Sequence, residues 1–523
     1  MTQGRDGSAW ALKLNGVASR LSLVAAVIAI AALVAGTAGT SYAKSKKKVT
    51  HTGMGTRLED TVVVSNYGAV FGGNLETFAA GAGHSSRPEF WVRGDKTFLS
   101  SSSGAGGDAV SSQIDNEIAV AIPIDFFDLT GCGPFGQPAS APAYGTGLVE
   151  LFSRTANGNS AAENIICSPN FAFGAPNITG VFYPQGVAFE SPYDGVNPGT
   201  DIVAVANMFP EVDQDATICA SLGLPTVSLG TVTEYDRWTL AAGVDNVPPF
   251  NNNPVSAINP FTSAPYIQNT TIGGCLTAMA GPAGVTFDDA GYLFVVNNAG
   301  FDNSAFYPPT VPRFVTVYPP GAAGDVFPTS LIGYLGVTAG DLNEPVAATV
   351  DASDNLFVTD GGETAINLDR ECTASGAPFS CCTGKGKGTC AAIPPAIKIF
   401  NPFANFSTTD LLYVGELLGV IQGPHTKLKS PMGIALDAGD DALYVVNAQA
   451  NSLEMFTEFP TTGGDIPPTL IIASPASKMN LPVGVALPAF TPTPAPTATP
   501  TSTPTFTPTE TIAAVPTPAA ILY

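Results

Sequence analysis

Three carboxylates alternate in the run Glu211-Val-Asp213-Gln-Asp215. Oxygen ligands at that spacing suit Ca2+, a hard cation that gathers about six to eight oxygens. The plainer reading is a solvated acidic loop, and Ca2+ is the one cofactor the chain suggests. Eight cysteines form a second constellation: Cys132, Cys167, Cys219, Cys275, Cys372, Cys381, Cys382 and Cys390. An even count in an exported chain points to disulfides. The simplest pairings join Cys132 to Cys167 and Cys219 to Cys275, with the last four pairing among themselves. Zinc is disfavoured, because adjacent Cys381 and Cys382 are poor joint ligands and Cys-x-x-Cys spacing is absent. The glycine run around Lys385 and Lys387 lacks the spacing of a phosphate-binding loop. The three histidines, His51, His84 and His425, fall in segments that should not meet. No catalytic Ser/His/Asp set can be argued from so few.

The ends of the chain are not part of the fold. Arg5, Lys13 and Arg20 precede an apolar run over 21–35, and small residues lead to Ser41-Tyr42-Ala43. A basic region, a short apolar core and a small-x-small exit describe a secretory signal peptide over 1–43. The rival reading is an uncleaved anchor, the one case in which a membrane contact is expected. A basic linker, 44–59, follows. Thr and Pro alternate over 491–508, as in Thr491-Pro-Thr-Pro-Ala-Pro, and 489–523 reads as a disordered but semi-rigid polyproline stalk. The expected location is therefore secreted or cell-surface. Formal charge is -22, from 21 Lys+Arg against 43 Asp+Glu. Such a surface repels phosphate backbones, so nucleic-acid partners are not expected. Hydrophobic residues make up 45% of the chain, enough for a packed core.

Between these ends short patterns recur. One reads Gly186-Val-Ala-Phe-Glu190, Gly284-Val-Thr-Phe-Asp288, Ala347-Ala-Thr-Val-Asp351, Gly433-Ile-Ala-Leu-Asp437 and Gly484-Val-Ala-Leu-Pro488. A second closes on Asn or Asp: Asn207, Asn297, Asp360 and Asn447, with Asn66 ending an equivalent run at 61–66. A third ends in an aromatic: Phe78, Phe152, Tyr235, Tyr318, Phe400 and Phe456. Outer runs lie at 89–93, 164–168, 330–335, 410–414 and 469–473. These are β-branched and aromatic segments of strand length, each closed by turn formers. Six units of four strands predict an all-β, six-bladed β-propeller over 60–488. The second unit has no clean first strand; 109–112 is the best candidate. The last inner pattern, 484–487, has no partners after it, and 61–66 has none before it, so the two should pair and close the ring.

Pro431-Met-Gly-Ile-Ala-Leu-Asp437 with Leu443-Tyr-Val-Val-Asn447, and Pro282-Ala-Gly-Val-Thr-Phe-Asp288 with Leu293-Phe-Val-Val-Asn297, resemble the NHL repeat family and the related YVTN repeat. The resemblance implies a propeller and leaves function open, since such folds carry enzymes, scaffolds and binding modules alike. In a four-stranded meander, segments joining strands 2 to 3 and 4 to 1 share one face, here the top. Long segments at about 123–147, 208–230, 298–313 and 361–395 lie there, as do all eight cysteines. The reading is a monomeric, non-catalytic binding or scaffold module whose disulfide-stapled top loops take a protein or glycan ligand. The alternative is an extracytoplasmic enzyme, lactonase- or lyase-like, holding a divalent cation in its funnel. The ring of Asn66, Asn207, Asn297, Asp360 and Asn447 reads first as turn caps.

Overall fold

In the computed structural model the described residues run from 61 to 487, less 69–72, 80–81, 95–96, 98, 100–104, 111–116, 124–146, 168–180, 182, 191–201, 209–229, 237–266, 275, 299–312, 334–341, 363–392, 409–411, 438–441 and 458. The expected signal peptide 1–43, linker 44–59 and stalk 489–523 lie outside them.

The strands group into six sheets, each with a four-stranded antiparallel core, the six blades of a propeller. Blade 1 holds Pro482–Ala486, Thr61–Asn66, Asn74–Ala79 and Phe90–Val92 in order from the axis outward. Blade 2 holds Asp108–Val110, Glu117–Ile122, Leu148–Ser153 and Asn164–Cys167. Blade 3 runs Pro184–Glu190, Ile202–Asn207, Thr231–Asp236 and Ile267–Ile272. Blade 4 has Pro282–Phe287, Leu293–Asn297, Phe314–Tyr318 and Ser330–Ile332. Blade 5 has Pro345–Val350, Leu356–Asp360, Ala396–Asn401 and Glu416–Ile421. Blade 6 has Pro431–Asp437, Ala442–Asn447, Ser452–Thr457 and Leu470–Ile472.

Side-chain alternation explains the packing. Successive strand residues point to opposite sheet faces, and both faces of a blade are covered by neighbouring blades. The second strands are therefore buried along their whole length in five blades, as in Ala442–Asn447, and in blade 3 along all but Ile202. The aromatic that closes each third-strand pattern is buried in all six blades. Phe78 packs with Tyr444, Leu453 and Ile472 between blades 1 and 6, and Phe456 packs with Phe357, Ile399 and Ile421 between blades 6 and 5.

Around the axis the inner strands meet at glycine. A Cβ on Gly284 would lie 2.6 Å from the Val346 carbonyl oxygen, and one on Gly186 would lie 2.7 Å from that of Ala283. The glycine of the inner pattern thus sets the close approach of one blade to the next. The ring closes through a strand from the far end of the chain: Val63 pairs with Ala486, Val64 with Val485 and Ser65 with Gly484. No sheet edge is then left open at the seam, where an unpaired edge would invite wrong pairing.

Three sequence expectations change. The run 410–414 is not the outer strand of blade 5; Glu416–Ile421 is, paired with Ala396–Asn401. Leu412–Tyr413 instead pairs with Phe406–Ser407 and, through Tyr413, runs parallel to Ser330 of blade 4. Both runs are apolar enough for a strand, and the free edge of blade 4 decides between them. The inner strand of blade 2 begins at Asp108, one residue before the expected 109–112, and is described to Val110; 111–112 lie outside the described residues. Blade 3, for which no outer run is evident in sequence, has one at Ile267–Ile272.

Candidate functional site

The polar residues that end the second strands ring the top of the propeller, where a funnel site would lie. All five are buried. Asn297 accepts from the Ala280 backbone N–H at 2.8 Å, and its Nδ2 donates to Val295 O at 3.0 Å and Thr316 Oγ1 at 3.1 Å. Asn447 accepts from the N–H groups of Lys429 and Ser430, at 3.0 and 2.9 Å, and donates to Lys427 O and Glu454 Oε1, each at 2.9 Å. Asn66 accepts from Asn480 N–H at 3.0 Å and donates to Asn74 Oδ1 at 2.7 Å. Asp360 accepts from the N–H groups of Glu344 at 2.9 Å and Asn343 at 3.1 Å, and pairs with Lys398 at 2.7 Å. In each of these four blades the side chain reaches the segment entering its own inner strand. Asn207 donates to Thr233 Oγ1 at 3.0 Å. Ile122 takes the position in blade 2.

A second polar residue, two places into or near the start of each third strand, faces this ring. It is Glu76 in blade 1, Glu150 in blade 2, Thr233 in blade 3, Thr316 in blade 4, Lys398 in blade 5 and Glu454 in blade 6. Burial pushes the Glu76 carboxyl up to about 8, against the pull of Asn66, Asn74 and the Lys478 ammonium. Burial also raises Glu454, opposed by Asn447, Ser452, Lys427 and Lys429. Burial alone would raise Asp360 too, but the Lys398 ammonium and the N–H groups of Glu344 and Asn343 outweigh it and hold the carboxyl below its ordinary value.

The 4-to-1 segments share a turn that no sequence pattern above includes. Thr277 Oγ1 donates to Gly274 O at 2.7 Å, Thr426 Oγ1 to Gly423 O at 2.7 Å, and Thr97 Oγ1 to Gly94 O at 2.9 Å. An acid or amide from the next blade caps it. Asp325 Oδ1 accepts from Leu276 N–H at 2.6 Å, and Asp465 Oδ1 from His425 N–H at 2.8 Å. Gly-x-x-Thr followed about 40–50 residues later by Gly-Asp is the signal that would have found it, in Gly274 to Asp325 and Gly423 to Asp465. His425 also bonds Asp465 Oδ2 through its ring at 2.7 Å, and His84 meets Ile471 O at 3.2 Å. The two histidines fasten different blade seams.

One buried acid breaks the inner pattern. Asp108 pairs with Val120, the register held by Val187 with Val205 and Val285 with Val295. It occupies an aliphatic position, accepts from Ser65 Oγ at 3.1 Å, and is pushed up to about 8 by burial. On the bottom face, Asp288 accepts from the N–H groups of Ala290 and Tyr292, and Asp351 from those of Ser353 and Asn355. These acids cap turns. Burial, with Asp354 and Asp289 nearby, lifts Asp288 to about 6. Among the described residues no group of three or more His, Cys, Asp or Glu could hold a metal ion.

Glu211, Asp213 and Asp215 lie outside the described residues, as do Cys132, Cys219, Cys275, Cys372, Cys381, Cys382 and Cys390. Of Cys167 the backbone is described: it ends the outer strand of blade 2 opposite Leu148. Leu148 begins the third strand, where the segment carrying Cys132 returns to the sheet.

No protein-family model matches the chain, and no curated protein matches it in sequence. Among solved structures it is similar to a Bacteroides caccae protein of unknown function, at 8% identity and a TM-score of 0.38 over 82% of this chain and 97% of that one. It is similar to a chain of a nidogen/laminin complex, at 9% identity and 0.37, over 82% and 97%. It is also similar to a Pseudomonas aeruginosa periplasmic gluconolactonase, at 10% identity and 0.35, over 82% and 99%. Likeness at this level says nothing of activity; the six-bladed propeller rests on the strand pairing itself.

Proposed function

We propose that the chain is an NHL-like propeller, exported to the cell surface or beyond, that binds a protein or glycan through its top-face segments without catalysing a reaction. One observation carries the reading: the polar side chains where a funnel enzyme would need ligands are turned inward, and most clamp the entry of an inner strand. That clamp makes the frame independent of whatever joins strand 2 to strand 3. Blade 6 needs only the short turn Ala448–Ala450 with Asn451, whereas blades 2 to 5 carry the segments at about 123–147, 208–230, 298–313 and 361–395. Long segments on a rigid frame are the usual carriers of recognition. Disulfides would reduce the ordering entropy such loops lose on binding, and Cys167 lies opposite the strand where the Cys132 segment returns.

The test replaces 363–392 by a four-residue turn copied from blade 6 and compares both proteins on a glycan microarray and against extracellular proteins. The expected outcome is unchanged thermal unfolding with loss of the ligand. Turnover of a sugar lactone in the presence of Ca2+ by the unaltered chain would replace this reading with the enzymatic one. Non-reducing peptide mapping tests the staples; free thiols at Cys132 and Cys167 would remove them.

A further inference from the structure

The hairpin that displaces the expected outer strand of blade 5 carries an aromatic chain from the core to the surface. Phe294 is fully buried, and Phe403 lies edge-on to it at 6.3 Å between ring centroids. Phe403 also meets Tyr292 at 5.1 Å and Tyr413 at 6.0 Å, and Tyr413 meets Phe406 at 5.1 Å. Phe406 ends the chain of rings with 51% of its surface exposed. The hairpin adds two strands to the sheet of blade 4, making it six-stranded. Its turn-forming Asn405 sits at a positive φ of 56°, held by a bond from its side chain to Gly415 O at 3.1 Å. The exposed ring is therefore braced inward through Tyr413 and Phe403, unlike a lone surface phenylalanine.

We propose that this ladder is the docking site of the chain's own Thr/Pro-rich segment, 491–508. Three arguments select that occupant. Extended proline-rich segments recognise exposed aromatic rings, because little entropy is lost when a stiff polyproline strand settles on them. The faces agree: Leu487 follows the closing inner strand and leaves it on the bottom face, where Tyr292 lies in the turn between strands 1 and 2 of blade 4. The reach suffices as well. Blade 4 lies opposite blade 1 in a ring of six, and a six-stranded sheet is about 24 Å wide at a strand spacing of about 4.8 Å. The 20 residues of 489–508 span about 62 Å as polyproline, more than twice that width. Tethering gives the segment an effective concentration in the millimolar range, so a weak contact that no free peptide would populate is occupied. Docking on the bottom keeps the tail off the top face, and the proposal stands or falls independently of what that face binds.

The experiment places the photo-crosslinker p-benzoylphenylalanine at position 406 of the full chain, an aromatic-for-aromatic change at an exposed site. Irradiation at low protein concentration is followed by mass-spectrometric mapping. The expected result is an intramolecular crosslink to 491–508. The same probe at Tyr67, which is exposed and follows Asn66 at the top, should give none. Replacing Pro494, Pro496, Pro500 and Pro504 by Ala should lower the yield about fivefold by removing the stiffness of the segment. Crosslinks confined to other segments, a crosslinked dimer whose yield follows protein concentration, or capture of an added glycan without tail crosslinks would each overturn the proposal.

Discussion

Blades 5 and 6 bury a polar pair at the same place and solve its electrostatics in opposite ways. In blade 5 Asp360 and Lys398 form an ion pair at 2.7 Å, braced by two backbone N–H groups on the aspartate. In blade 6 an amide, Asn447, meets a carboxyl, Glu454, whose second oxygen has no hydrogen-bond partner among the described residues. Blade 1 follows blade 6, with Asn66 and Glu76, and blade 4 uses the neutral Asn297 and Thr316. In these four blades the position supplies a buried acceptor that holds the inner-strand entry, and the charge used to achieve this varies from blade to blade. The cost appears as pH dependence, of opposite sign in the two blades.

The largest effect should come from breaking the ion pair. Lys398→Met leaves Asp360 charged and buried, and should destabilise the chain by about 3–5 kcal/mol in chemical denaturation. Converting blade 5 to the blade 6 pattern with Asp360→Asn and Lys398→Glu should recover part of that loss. The double-mutant coupling should exceed about 1 kcal/mol, and simple additivity would show that the two side chains do not act as a pair.

Titration separates the blades further. Glu76 and Glu454 have folded values raised above the unfolded one, so the folded state holds protons that the unfolded state releases. Their stability is full below about pH 4.5 and falls as pH rises, for Glu76 until about 8. Asp360 is lowered, so its contribution is present above the unfolded value and is lost as pH falls through the folded one. Glu76→Gln with Glu454→Gln should therefore flatten the decline in stability between pH 5 and 8, by an amount on the order of 3 kcal/mol. A slope equal to that of the unaltered chain would mean that both carboxyls are solvated. Asp108, also near 8, should respond likewise to Asp108→Asn.

Gly284→Ala should cost about 1–3 kcal/mol, because the new Cβ would press on the Val346 carbonyl oxygen. Unchanged melting would show that the blades can slide apart at the axis. The smallest effect is expected at the neutral pair: Thr316→Val removes one acceptor from Asn297 and should cost about 1 kcal/mol with no pH dependence.

The third-strand aromatics and the closing strand were legible because alternation with period two survives in sequence wherever both sheet faces are buried. Ile397-Lys-Ile-Phe400 and Leu453-Glu-Met-Phe456 announce themselves in this way. The polar pairs were not. Asn447 and Glu454 are seven residues apart, but Asn207 and Thr233 are 26 apart, because the intervening segment varies while the strand ends stay fixed. The inner strand of blade 2 hid for a different reason: Asp108 stands where the pattern calls for an aliphatic residue.

Local chemistry along the chain was enough to determine blade number and the pairing of 61–66 with 484–487, since the third-strand aromatic recurs six times and each terminal pattern lacks the partner the other supplies. Tertiary structure alone decided which edge took Leu412–Tyr413, that Glu416–Ile421 completes blade 5, and that the Asn/Asp ring clamps loops inside the protein. A strand is defined by its partner as much as by its own residues, and a buried amide by whichever N–H groups the fold brings to it. Neither partner is near in sequence, so neither choice is written in any one segment.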